Sequence, residues 1–445
     1  MSADYTTETV HQERVKGGDI ETVVDGKKAT VNIQQLRSHI PAHCLRPSAL
    51  YSLAWVLHDS AIYIALLATA LCLEDRVLDV GGNGARIALC YFVFPFVAGL
   101  PLTGLWVLAH ECGHGAFSTN GFLSHTVGLV LHSALLNPYF AWRSSHGRHH
   151  QFANNLKTDL NYVPPLRDEY QELFRGQIEI DHMIEDAPIV VLLRILFQQL
   201  VGWPWYLVTH ITAGPNSSPK KSRGWWDNSH YLPDSSLFRP SEFWNIVISD
   251  LAISAMAVVL YALVRRYGMS TMAWAYLLPL MWVNHWIVMI TYLHHTSPVL
   301  PKYLPESWTY LRGALATVDR DPGPVMRYMF HHIVDLHVVH HLFPRIPHYH
   351  AQEATNAIRP LLGDYYHVDK GSWWGALYVA FTQCQWVEAD VGKTAQAKLY
   401  GKSGDADCPS PVDGISEVDR EGILWYRPGR MPLPATVMRS QPAAS

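Results

Sequence analysis

Eight histidines fall into three short clusters, and no other feature of this sequence carries as much chemical content. The first cluster reads His110-Glu-Cys-Gly-His114, the second His146-Gly-Arg-His149-His150, and the third His337-Val-Val-His340-His341. Residues three or four apart share a helix face, so each cluster would present its imidazoles in one direction. Neutral imidazole binds iron, copper and zinc at ring-nitrogen distances near ~2 Å. Eight such ligands exceed what one tetrahedral zinc takes and suit two irons. An iron pair can activate dioxygen and break an unactivated C–H bond, which no side chain does alone.

Weaker signals lie beside this one. Isolated histidines such as His58, His210 and His367 are more often ordinary packed residues than ligands. The first cluster also matches HExxH, the zinc-protease pattern in which Glu111 would be the general base. An intramembrane zinc metalloprotease therefore stays in view, as does a hydrolytic zinc receptor or sensor with several spans. Both leave the six histidines of the two HxxHH clusters unexplained. Two irons or one zinc would separate these readings.

Elements that could hold the clusters are visible as apolar stretches. Segments 54–73, 87–109, 246–264 and 270–293 are each apolar enough and about long enough to cross a ~30 Å hydrocarbon layer at ~1.5 Å per residue. They predict four transmembrane helices in two hairpins, with turns at 74–86 and 265–269. Stretches 122–142 and 187–209 hold polar residues or prolines and are read as interfacial helices lying in the membrane plane. Four crossings put the N-terminus, the region 112–245 and everything after His294 on one side, so the clusters can meet. One extra crossing would separate the third cluster from the other two. The expected fold class is thus all-α: a polytopic membrane protein with a cytosolic cap over a di-iron site. Residues 1–40 read as a polar, flexible N-terminus, 41–400 as the membrane domain, and 401–445 as a loose tail.

Composition agrees with a membrane chain. Of 445 residues, 49% are hydrophobic and 16% charged, with 16 Trp and 22 Tyr, residues favoured at membrane–water interfaces. The net charge of -4 points to no nucleic-acid partner. The six cysteines (Cys44, Cys72, Cys90, Cys112, Cys384 and Cys408) show no paired spacing, which fits a reducing compartment. The polar start shows no cleavable signal peptide.

Over roughly 34–427 the sequence resembles the membrane-bound fatty-acyl desaturases, most closely the fungal and plant Δ12 (oleoyl) group. The resemblance rests on Ile40-Pro-Ala-His-Cys44, Ala109-His-Glu-Cys-Gly-His-Gly-Ala-Phe-Ser118, Ser145-His-Gly-Arg-His-His150 and Ile290-Thr-Tyr-Leu-His-His-Thr296. It continues with Asp319-Arg-Asp321, His337-Val-Val-His-His-Leu-Phe343, His350-Ala-Gln-Glu-Ala-Thr355 and Gly422-Ile-Leu-Trp-Tyr-Arg427. It implies a non-haem di-iron centre in the endoplasmic reticulum membrane, facing the cytosol. Cytochrome b5 and its reductase would be separate electron donors and a long acyl chain the substrate, held in a narrow apolar tunnel. The resemblance carries the eight motif histidines over as iron ligands and adds His295 as a ninth.

Glu111, Asp159, His331 and Asp335 are candidates to hold and orient the ligating rings. Equally ordinary readings stand beside them: a solvated helix-end carboxylate for Glu111, and a salt bridge or cap for Asp159 and Asp335. The chain departs from the family pattern near the ligands. The departures are Phe152 and Asn155 after the second cluster, His294 where glutamine is usual, and Leu336 where threonine is usual. These four are candidates to set which carbon reacts, and whether desaturation gives way to hydroxylation, acetylenic-bond formation or conjugation. Ala109 and Glu111 follow the ordinary desaturase form, which favours a double bond.

Overall fold

The computed structural model describes residues 18–24, 27–80, 82–173, 187–210, 212, 217–218, 223–224, 226–389 and 422–427. Among the described residues, five helices are long and apolar enough to cross a membrane: Ala49–Glu74, Asn83–His114, Pro188–Thr209, Pro240–Tyr267 and Met269–Leu293. Of the helices that form them, α2 covers Ala49–Val80, α3 Phe94–His114, α6 Pro188–Thr209, α7 Phe243–Tyr267 and α8 Leu278–Leu293. Shorter helices complete the site: α1 (Ile33–His39), α4 (Gly121–Ala134), α5 (Tyr139–Phe152), α9 (His337–Leu342) and α10 (His348–Leu362).

Burial separates the spans into two classes. The windows through Asn83–His114 and Met269–Leu293 are 78% and 61% buried, and α3 packs against α8 at the centre. The other three candidate spans are 11–17% buried; α2 packs on α3 and α6 on α8. Their outward faces carry Leu57, Ile64, Leu193, Phe197, Leu251 and Val258, all exposed. So much exposed apolar surface on long helices is what a lipid environment covers. This is a multi-pass membrane protein.

The expected spans move by a few residues at their ends, and the two stretches read as interfacial come out differently from one another. The stretch 122–142 splits into α4, which at 14 residues is ~21 Å long and too short to span, and the first turn of α5. The stretch 187–209 forms one unbroken 22-residue helix, α6, as long and apolar as a span, although it was expected to lie flat. Pro188 opens it at a position where a missing N–H costs nothing.

The fold is not purely helical. Strands β1 (Asp19–Val24) and β2 (Lys27–Asn32) form an antiparallel hairpin ahead of α1. Ile20, Val31, Leu36 and Ile40 are buried against Leu311, Leu315 and Leu362, so residues 18–40 include a packed element where a flexible segment was expected. Further on, β3 (Lys302–Tyr303) pairs with β7 (Ile423–Arg427), which also pairs with β6 (Trp386–Ala389). Residues 423–427, expected in the loose tail, are thus the central strand of a small sheet. The rest of 401–445, with Cys408, lies outside the described residues. Strands β4 (Val318–Arg320) and β5 (His367–Asp369) pair in parallel. Strands of two to six residues show too little alternation to be read locally, and beyond the β1–β2 hairpin their partners are distant in the chain.

Candidate metal centre

The last turn of α3 carries His110 and His114 and ends at Gly115, whose φ of 71° gives the left-handed C-cap that halts the helix there. The second half of α5 carries His146, His149 and His150, and α9 carries His337, His340 and His341. α9 is too short to hold itself. Asp319 fixes its start by accepting the Val338 N–H at 2.8 Å while also accepting the Tyr366 hydroxyl.

Nine imidazoles converge in two groups. One holds His110, His114, His146, His150 and His340, with one ring nitrogen from each lying within 4.8 Å of the others. His110 Nε2 is 3.2 Å from His114 Nε2, and His146 Nε2 is 3.1 Å from His150 Nε2. The second group holds His149, His295 and His341 under the same distance limit. His337 joins it, its Nε2 being 3.3 Å from His295 Nε2, which is itself 3.3 Å from His149 Nε2. His150 of the first group stacks on His341 of the second, with ring centroids 4.1 Å apart, so the two groups share a wall. All three sequence clusters meet here, and His295 meets them. His58, His210 and His367 stand outside both groups.

The donor set fits metal ions. Around an ion with metal–nitrogen bonds near ~2.1 Å, neighbouring ligand nitrogens sit roughly 3.0–3.4 Å apart, the spacing found here. Hydrogen bonding does not account for the arrangement. His340 Nε2 and both nitrogens of His341 are buried without a hydrogen-bond partner among the described residues. Each of these two rings has a nitrogen free to offer a lone pair, and leaving it unmatched in the interior is costly unless an ion takes it. Burial first, and repulsion from neighbouring groups second, hold His146, His150, His295, His337, His340 and His341 well below the usual imidazole range. Neutral rings are the ligating form.

The surroundings decide which carboxylates support the rings. Asp159 Oδ1 lies 2.7 Å from His149 Nδ1 and also accepts Asn161 N–H, while Oδ2 accepts Asn154 N–H. Of the carboxylate candidates, it alone contacts one of the nine histidines directly among the described residues. Glu111 turns to α10, accepting the His348 N–H and lying 2.9 Å from His348 Nδ1. Asp335 sits on His332 and Arg327, the salt bridge of its ordinary reading, and reaches no clustered imidazole. His331 pairs with Asp59 at 2.7 Å and lies beside His348, away from both groups.

Of the departures from the family pattern, His294 alone touches a clustered ring. Its ring lies 4.3 Å from that of His337, and its two nitrogens face Ile290 O and Val334 O. Phe152 packs on Trp308. Asn155 caps a turn by accepting Lys157 and Thr158 N–H. Leu336 is buried in the core under β1 and β2.

Several contributors escaped the sequence reading. Asn154, at φ 63°, donates to Gly313 O and Ala316 O and accepts from Lys302 Nζ, tying the loop after α5 to the segment 302–316. Burial pulls Lys302 down to about 8. Asp59 links His58 and His331 against Gly104, where an added Cβ would lie 2.5 Å from Asp59 Oδ2. A carboxylate near the start of a span was the one available signal for that network.

Comparison with known proteins settles the family. The fatty acid desaturase profile matches residues 88–373. The chain belongs to the fatty acid desaturase family. It is 39% identical to an oleate hydroxylase of Claviceps purpurea over 89% of this chain and 80% of that one. It is 38% identical to a Δ12 fatty acid desaturase of Mortierella isabellina, covering 80% and 88%. It is 36% identical to an omega-6 fatty acid desaturase of Glycine max, an endoplasmic reticulum isozyme, covering 88% and 95%. This desaturase is therefore an oxidoreductase of lipid metabolism acting on fatty acyl chains, and the two histidine groups of its centre could each hold a metal ion.

Proposed function

We propose that this desaturase is a Δ12-type enzyme that places a double bond in a long acyl chain, using dioxygen and two irons held by the nine histidines. The observation that carries the reading is the convergence of three clusters and His295 into two adjoining groups of imidazoles. An iron pair bound there supplies the power to activate dioxygen and break a methylene C–H bond.

The chain's own residues hold the geometry. Asp159 fixes the tautomer and angle of His149. Trp142 stacks on His146 at 4.3 Å and Trp106 on His110 at 5.9 Å, walling the first group with apolar surface that keeps water out. A methylene chain offers few polar handles, so the position of reaction follows from the length and bend of the apolar tunnel that receives it.

Parity supports four crossings, by α2, the helix ending at His114, α7 and α8. With α6 as a fifth, α9 would emerge on the opposite face from α3 and α5, yet their histidines pack together. On this reading α6 lies along the membrane face against α8. The name of the soybean relative supports the endoplasmic reticulum, with the centre facing the cytosol. Cytochrome b5 and its reductase are the proposed donors. A cleft of about 230 Å³ lined by Arg143, Arg148, Arg239 and Glu242, together with Gly113 and Gly147 next in the chain to His114 and His146, offers positive charge to an acidic partner.

Expression in yeast, with fatty acids analysed by mass spectrometry, tests the reading. The expected product is an oleoyl chain with a second double bond at carbon 12. A hydroxylated chain as sole product would move the assignment to the activity named for the Claviceps relative, and no product from any acyl chain would overturn it.

Glu111 separates this chemistry from proteolysis. Both its oxygens serve His348, so Glu111→Gln keeps a polar partner for α10 and is expected to lower desaturation by less than about tenfold. Complete loss, with metal content unchanged, would point to a general base.

A further inference from the structure

A second cluster of metal-binding side chains lies away from the nine histidines. The turn Ala42–Leu45, just before α2, carries His43 and Cys44, and α10 carries His350 and Glu353. His350 and Glu353 are three apart and share a helix face. His43 Nε2 is 2.8 Å from Glu353 Oε2 and 3.6 Å from Cys44 Sγ, and the rings of His43 and His350 are 5.2 Å apart. One donor atom from each of the four lies within 4.8 Å of the rest. Cys44 is fully buried, whereas the side chains of His43 and Glu353 are 58% and 50% exposed. The thiol therefore sits at the floor of a group open to solvent.

We propose that His43, Cys44, His350 and Glu353 form a structural zinc site that ties the N-terminal turn to α10. One sulfur, two imidazole nitrogens and one carboxylate are a tetrahedral zinc set, with bonds near ~2.0–2.3 Å and donors about 3.4–3.7 Å apart. The present spacings bracket that value, so side-chain rotation closes the site without moving either backbone. A thiolate excludes magnesium, calcium and manganese. Binding sends the Cys44 thiol proton to solvent and forms the sulfur–zinc bond in its place.

The position gives the site a purpose. Two residues before His350, His348 holds Glu111, the neighbour of His110. Zinc would thus anchor the start of α10 and the entrance of α2, bracing the helix end that carries the first histidine cluster.

The test uses the full chain purified in detergent, with zinc and iron measured by mass spectrometry. The wild type is expected to carry about one zinc besides its iron. Cys44→Ser and His350→Ala are each expected to lose the zinc and keep the iron, so this readout fails or succeeds separately from the di-iron reading. Should the serine variant not fold, His350→Ala, which trims a partly exposed ring, carries the comparison. Titration of zinc-depleted wild type with Co²⁺ should add a sulfur-to-cobalt absorption band. A wild type without zinc and without that band, or zinc retained by both variants, would overturn the proposal.

Discussion

Replacing His295 by alanine is expected to abolish product formation and to lower bound iron from about two per chain to about one. His295 Nε2 lies 3.3 Å from both His149 Nε2 and His337 Nε2, at the middle of the second group. Its removal opens that group while His110, His114, His146, His150 and His340 keep their mutual spacing. Loss of a residue that merely supports a ligand costs about 10–100-fold, so loss of a ligand should exceed that range. The neighbouring histidine is the control. His294 reaches two backbone carbonyls and touches His337 without joining the group. His294→Gln is expected to keep both irons and retain activity within about tenfold, with any change appearing in which carbon reacts. Activity at the wild-type level in His295→Ala, with two irons still bound, would remove His295 from the centre.

The contrast between His295 and the motif histidines shows what a sequence makes legible. HxxxH and HxxHH announce themselves because helix geometry turns a spacing into a shared face. His294-His295 is a bare dipeptide after a span, and only resemblance to a family distinguishes its second member. Glu111 with His348 and Asp59 with His331 are separated by 237 and 272 residues, so no local pattern joins them. The spans were visible because lipid demands long apolar runs, and parity then required an even number of crossings between the clusters. What parity could not supply was the shape of the linker, where α6 is as long and apolar as a span. The small sheet of β3, β7 and β6 was the least legible part. Its strands are short, and β7 finds its partners β3 and β6 more than 30 residues away along the chain.

Asp159 is where the ordinary and functional readings of a carboxylate part most sharply. It is 2% exposed and spends both oxygens: Oδ1 on His149 and Asn161, Oδ2 on Asn154. Were it only a cap for the loop after α5, asparagine would replace it almost without effect on metal, since an amide oxygen still accepts a backbone N–H. If it also holds the His149 ring, charge matters, because a carboxylate raises the basicity of the imidazole it orients. Asp159→Asn is then expected to lower activity about tenfold and weaken retention of iron in the second group. Asp159→Ala should cost about 100-fold, because it releases the ring and strands the buried Asn154 N–H and the partly buried Asn161 N–H. Iron retention under a chelator, measured beside activity, separates the two roles. A cap alone predicts a less stable protein whose remaining folded fraction keeps both irons as firmly as the wild type, whereas a ring-orienting carboxylate predicts that one of the two leaves faster in both variants.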